Sequence, residues 1–273
     1  MNRLRFIACW ASCVLGTGVA AGQIDVAGLA ALPRADIVLL GEVHDNAAHH
    51  LNQAAVLRAL RPAAVVFEML TDAQARIANS SGLAGADLAA ALDWSTSGWP
   101  AFDLYAPVFA ALGDARVYGM AVSRDDVRAV FDQGPAAVFG ADAGQYGLDA
   151  PLPADQQAAR QDLQREAHCD ALPADLLPGM VAAQRLRDAA FARTALRALA
   201  ETGGPVAVIT GIGHARRDWG MPLYLARAAP DVTVLSLGQI ERGGGDADDA
   251  PPYDLWLLTG AAERDDPCAS FAD

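Results

Sequence analysis

The chain is 273 residues long, 53% hydrophobic and 19% charged, with a formal net charge of −13 at pH 7. That acidic balance makes nucleic acid and anionic membrane surfaces poor partners. Every basic residue is arginine, which excludes a Schiff-base lysine, a pyridoxal-phosphate site and a Walker A loop.

Residues 1–21 read as a cleaved secretory signal: a basic start with Arg3 and Arg5, an apolar stretch over 6–21, and a small-residue end at Val19-Ala20-Ala21. The stretch is short for a membrane span, which needs roughly 20 apolar residues. Trp10, three positions before Cys13, is a poor lipoprotein signal, so lipidation is not expected. The expected location is periplasmic or otherwise exported, with a mature chain from Gly22. Loss of Arg3 and Arg5 then takes the net charge from −13 to −15. Cys169 and Cys268 remain, an even count in an oxidising compartment, and a disulfide between them is expected. Residues 22–273 suffice for one α/β domain.

The first strand signal is the β-branched run Ile37-Val-Leu-Leu40, followed by Gly41-Glu-Val-His44-Asp-Asn-Ala-Ala-His49-His50, where three of the five histidines fall within seven residues. A helix of roughly 15 residues is predicted from Asp45 or Asn46, with His49 and His50 in its first turn. Apolar runs at 64–68, 117–122, 206–210, 232–237 and 255–258 predict five more strands, and the helical patterns between them predict a mostly parallel sheet. Helical segments at about 72–113 and 153–200 are expected as a cap inserted between strands. The first is interrupted by an aromatic turn with Trp94 and Trp99. Ser123 is a good N-cap for a short helix. Residues 134–153, glycine-rich and holding Tyr146, read as a mobile loop. A helix over about 174–200 aligns Met180, Gln184, Arg187 and Phe191 on one stripe. The acidic stretch 241–252 reads as a flexible connector.

A second glycine-histidine turn, Gly211-Ile-Gly213-His214, again follows a strand, and the 64–68 run ends in Glu68. In open α/β sheets ligands bind beyond the carboxyl ends of parallel strands. Glu42, His44, Glu68 and His214 are therefore expected to converge there, as a divalent transition-metal site or a general acid/base cluster. A partner for Glu68 is expected among Arg216, Arg217 and His214, because a buried unpaired carboxylate is costly. No Gly-x-Ser-x-Gly elbow is present, which removes the usual α/β-hydrolase reading.

These motifs, together with Gly98-Trp-Pro100, Tyr105-Ala-Pro107 and Met180-x-x-x-Gln184-x-x-Arg187-Asp188, resemble the ChaN-like proteins of the haem-binding-uptake and Tiki superfamily. The resemblance covers most of the mature chain. It implies an α/β core shared with the erythromycin esterases, a helical cap, and an exported haem-binding protein tied to haem or iron uptake. Histidine or tyrosine would supply the iron ligand, Tyr146 of the loop being one candidate, and His49, His50 and Tyr105 would line the ligand site, Tyr105 as part of an aromatic wall. Gln184, Arg187, Arg216 and Arg217 would contact the ligand, the arginines through the propionates. Peripheral association with an outer-membrane uptake system and pairing into a homodimer are further expectations. The wider superfamily implies an alternative, a metal-dependent hydrolase of the Tiki-protease or erythromycin-esterase kind using Glu42, His44, Glu68 and His214.

Overall fold

The structure is a computed structural model that describes residues 21–243, 250–266 and 268–269. Residues 1–20 of the expected signal sequence 1–21, and the middle of the acidic connector, 244–249, lie outside the described residues. The elements run β1 (Gly22–Ile24), a 3-10 helix (Val26–Ala31), β2 (Ile37–Glu42), α1 (Ala47–Leu60), β3 (Ala64–Phe67), α2 (Asp72–Ser80), α3 (Gly85–Ala91), a 3-10 helix (Trp94–Thr96), α4 (Phe102–Phe109) and β4 (Arg116–Gly119). There follow α5 (Arg124–Gln133), α6 (Pro135–Phe139), α7 (Ala154–Ala167), α8 (Leu177–Thr202), β5 (Val206–Gly211), α9 (Ile212–Ala215), α10 (Met221–Ala228), β6 (Val234–Glu241) and β7 (Leu255–Thr259).

The described strands form one parallel sheet in the order β1-β7-β6-β2-β5-β3-β4. β2 and β5 are buried along their whole lengths because helices cover both faces. Alternation along the strands sorts the core. Val38, Leu40, Val65, Phe67, Ala207 and Ile209 face the α1 and α4 layer, while Ile37, Leu39, Val66, Val206 and Val208 face α8 and α10. The segments 72–113 and 153–200 thus contribute α4 and α8 to the two flanking layers. β1, a three-residue edge strand on β7, had no sequence signal because it is too short to show alternation.

Asn46 caps α1 by accepting from the Ala48 N–H at 3.0 Å, and Ser123 caps α5 by accepting from the Asp126 N–H at 3.0 Å. The expectation of a mobile loop at 134–153 is corrected. α6 lies within it, Phe139, Tyr146 and Leu148 are buried, and Arg185 of α8 donates to the Gly147 and Ala150 carbonyls at 3.0 and 2.9 Å. A long side chain from a neighbouring helix pins the loop, and such a contact has no local signature.

Cys169 and Cys268 are disulfide-bonded across 99 residues. The bridge ties the turn after α7 to the end of the chain. A closed loop of that length restricts the unfolded chain strongly, so Cys268→Ser is expected to lower stability by about 2–4 kcal/mol in urea denaturation. Reduction of the wild type should reproduce the loss.

Candidate functional site

Register places the cluster. β2 pairs with β5 so that Glu42 lies beside Gly211, and β5 pairs with β3 so that Phe67 lies beside Ile209, which leaves Glu68 one residue further at the same level. The Glu68 N–H still donates to the Ile209 carbonyl at 3.1 Å. α9 begins immediately after β5 and turns His214 back over the strand ends. The close approach of α9 to β2 needs Gly41, where a Cβ would stand 3.0 Å from the Ala215 Cβ and 3.1 Å from the Ile212 Cα. Gly211 makes room for His44, since a Cβ there would lie 2.9 Å from its Nε2.

Glu42 is buried, and donors surround its carboxylate. Oε1 accepts from the Tyr105 hydroxyl at 2.8 Å and lies 2.9 Å from His44 Nδ1; Oε2 accepts from the Gln53 amide at 2.6 Å and lies 3.3 Å from His50 Nδ1. Burial would raise its pKa, but the bonds to His44 and His50 outweigh that and hold it below the ordinary value. Tyr105, buried beside this carboxylate, has its hydroxyl pushed well up, first by burial and then by Glu42, so it serves as a donor.

An ionised Glu42 can only accept, so His44 donates from Nδ1 and keeps its free lone pair on Nε2. His44 is the exposed member of the cluster, its side chain 32% accessible and its ring in edge contact with Trp99 at 4.9 Å. Burial lowers its pKa, but Glu42 and Glu68 raise it further, for a net shift upward.

The second carboxylate, Glu68, accepts from the Thr210 hydroxyl at 2.8 Å and the Gly211 N–H at 2.7 Å, with Oε1 3.4 Å from His214 Nε2. On the far side of the ring, His214 Nδ1 lies 2.6 Å from Asp188 Oδ1 of α8. The Gln184 amide sits 3.1 Å from the same nitrogen. Burial alone would push His214 down, but the two carboxylates outweigh it and hold it up to about 10. Burial likewise keeps the Glu68 carboxyl from falling as far as His214 would take it, yet the net shift is well below the usual range. His214 is therefore an imidazolium donating from both nitrogens, a cation fixed between two buried carboxylates.

The structure thus brings Glu42, His44, Glu68 and His214 together, with His50, Tyr105 and Gln184 against them. Other expected site residues go elsewhere. His49 is fully buried and structural. Its Nδ1 accepts from the Val43 N–H at 2.8 Å and its Nε2 bonds the Thr259 hydroxyl at 2.8 Å. Burial drives its pKa down to about 4, and the ring is neutral. Tyr146 lies in the α8-side core against Phe139, ring centroids 5.0 Å apart, and is not a loop ligand. Arg216 is spent on a bidentate bond to Asp218, and Arg217 on Asp254 at 2.6 Å. Neither pairs with Glu68. Arg187 lines the cleft, as does Arg124.

The geometry gives no support to the expected divalent-metal site on Glu42, His44, Glu68 and His214. Among the described residues no three His, Cys, Asp or Glu side chains are placed to hold a metal ion. The donor chemistry explains this: both His214 nitrogens carry protons, and all four carboxylate oxygens face hydrogen-bond donors.

Sequence reasoning missed Asp188 and Gln53 as members of the site. Asp188 is 26 residues from His214 along the chain, and only α8 crossing the strand ends joins them. Gln53 follows His49 by one helical turn, a signal that was available.

The cleft above the cluster measures about 660 Å³ and is lined by Glu68, Trp99, Arg124, Gln184, Arg187 and Phe191 among others. A family model described as haem-binding uptake, Tiki superfamily, ChaN matches residues 29–225. The chain belongs to the ChaN family. The fold of this ChaN-family protein is also found in the solved structure of ChaN from Campylobacter jejuni, described with cofacial haem binding. That structure is 19% identical at a TM-score of 0.62, covering 84% of this chain and 89% of that one. The type III effector HopBA1 is 14% identical, with a TM-score of 0.43 over 86% and 92% of the two chains. An erythromycin esterase, EreC, is 14% identical with a TM-score of 0.41 over 76% and 70%. No curated protein matches.

Proposed function

We propose that this ChaN-family protein is an exported haem-binding protein of an iron or haem uptake route, and that the cleft over β2, β3 and β5 takes the porphyrin. The observation that carries the reading is His44. It is the one imidazole of the cluster that presents an unbonded nitrogen at an accessible edge, while Glu42 holds the opposite nitrogen and so sets the ring's orientation. Histidine is an established axial ligand to haem iron. Trp99, whose ring meets that of His44, lines the adjoining cleft with Phe191 and Met69 as apolar surface, and Arg124 and Arg187 offer two guanidiniums there for the two propionates. When bound, the haem supplies an iron centre for ligation; this chain's residues position and enclose it. Export is supported by the amino-terminal pattern and by the disulfide.

The test is a haem titration. Saturable uptake at micromolar concentration with a shifted Soret band is the expected outcome, and a spectrum identical to free haem at every ratio would refute it. The Glu42–His44 pair also has the arrangement of an oriented general base, which favours a metal-free hydrolase as the second reading. Ester hydrolysis that survives chelators and disappears in His44→Ala, without haem uptake, would select it.

A further inference from the structure

Next to the main cleft lies a second pocket of about 230 Å³, between α7, α8 and the turn that follows β5. Gln184 lines both cavities, and Asp188 forms part of the second. What distinguishes this pocket is Arg160. Its residue is 6% exposed, it forms no ion pair among the described residues, and its Nε has no hydrogen-bond partner. Its Nη2 donates to the Gln156 amide oxygen at 3.2 Å. The Tyr224 hydroxyl also bonds the guanidinium and the Asp188 carboxylate faces it, but Asp188 is paired with His214 and neither supplies a partner for Nε.

A buried guanidinium short of partners is costly and is normally compensated by an anion. The rest of the pocket says which kind. Leu163 and Val181 make its walls apolar, Leu163 being 40% exposed, and the Trp219 ring lies 5.2 Å from the Arg160 guanidinium and 4.2 Å from that of Arg216. Arg216 is already neutralised by Asp218, which leaves Arg160 as the arginine of the pocket with no ion pair among the described residues.

We propose that this pocket is a binding site for a small organic carboxylate with an apolar or aromatic body, its carboxylate paired with Arg160 and its body lying among Leu163, Val181 and Trp219. The site is separate from the haem cleft and does not depend on that reading. A bare inorganic anion would leave the apolar walls uncovered, and a neutral aromatic would leave the guanidinium unpaired.

Benzoate and its neutral isostere benzamide are the probes, titrated against the full chain by calorimetry and by the chemical shift of carboxyl-labelled benzoate. Benzoate should bind saturably with a Kd of about 1 mM or tighter, and benzamide at least about tenfold more weakly, since a charge-assisted bond is worth about 1.5–3 kcal/mol. Arg160→Met should weaken benzoate by about 10- to 100-fold and leave benzamide unchanged. Gly213→Leu approaches from the other wall: a Cβ there meets no atom within 4 Å, so the fold tolerates it while the added bulk enters the pocket. It should weaken both probes. Equal affinity for the two probes, no saturable benzoate binding, or benzoate binding that survives both substitutions would each overturn the assignment.

Discussion

His214→Ala should destabilise the protein by about 3–5 kcal/mol, because it removes the cation that lies between two buried carboxylates and leaves Glu68 and Asp188 without the partner they share. For a chain of this size that corresponds to a fall in melting temperature of roughly 10 °C. The effect is pH-dependent, and its sign follows from the direction of the shift. His214 titrates near 6.5 when unfolded and about 10 when folded, so the folded state binds the proton more tightly. Its contribution is fully present below pH 6.5 and is lost as pH rises toward 10. The gap between wild type and His214→Ala should therefore narrow on the alkaline side. His49 acts in the opposite direction. Its folded value of about 4 lies below 6.5, so its contribution is present above pH 6.5 and is lost as pH falls toward 4. Urea midpoints across pH 4 to 10 should describe a dome whose alkaline limb flattens in the variant. A variant that keeps the wild-type midpoint and the wild-type alkaline limb would disprove the ion triad.

The second large effect concerns the ligand. His44→Ala should weaken haem uptake by at least about 100-fold and change the Soret maximum, because it removes the proposed coordinating nitrogen itself, whereas loss of a supporting partner typically costs 10- to 100-fold. Glu42→Gln should fall in that lower range, since an amide can still accept from Nδ1 but no longer stabilises a positive charge. Proton and iron compete for the same lone pair. With the His44 pKa raised above its ordinary 6.5, affinity should fall as pH drops through that value, by up to about tenfold per unit. The measurement is a Soret titration of wild type and both variants at pH 6 and 8. Unchanged affinity and spectrum in His44→Ala would move the axial ligand elsewhere in the cleft.

The core strands and the alignment of two glycine-histidine turns at one sheet edge could be read along the chain, because β-branched runs, turn glycines and N-caps act over a few residues. The family motifs were legible for the same reason. What each histidine does was not. His44, His49 and His50 sit within seven residues, yet one is accessible with a free nitrogen, one is neutral and structural, and one is buried on a carboxylate. Their roles depend on Thr259, Tyr105 and Trp99, which arrive from other elements. The conversion of an expected metal-ligand set into an ion triad likewise came from Asp188, brought over the strand ends by α8. The sequence by itself determined the strands, the caps and the level at which ionisable groups gather. Only the tertiary structure decided protonation and access, because desolvation and hydrogen bonding from distant parts of the chain determine which form of an imidazole or carboxyl is stable.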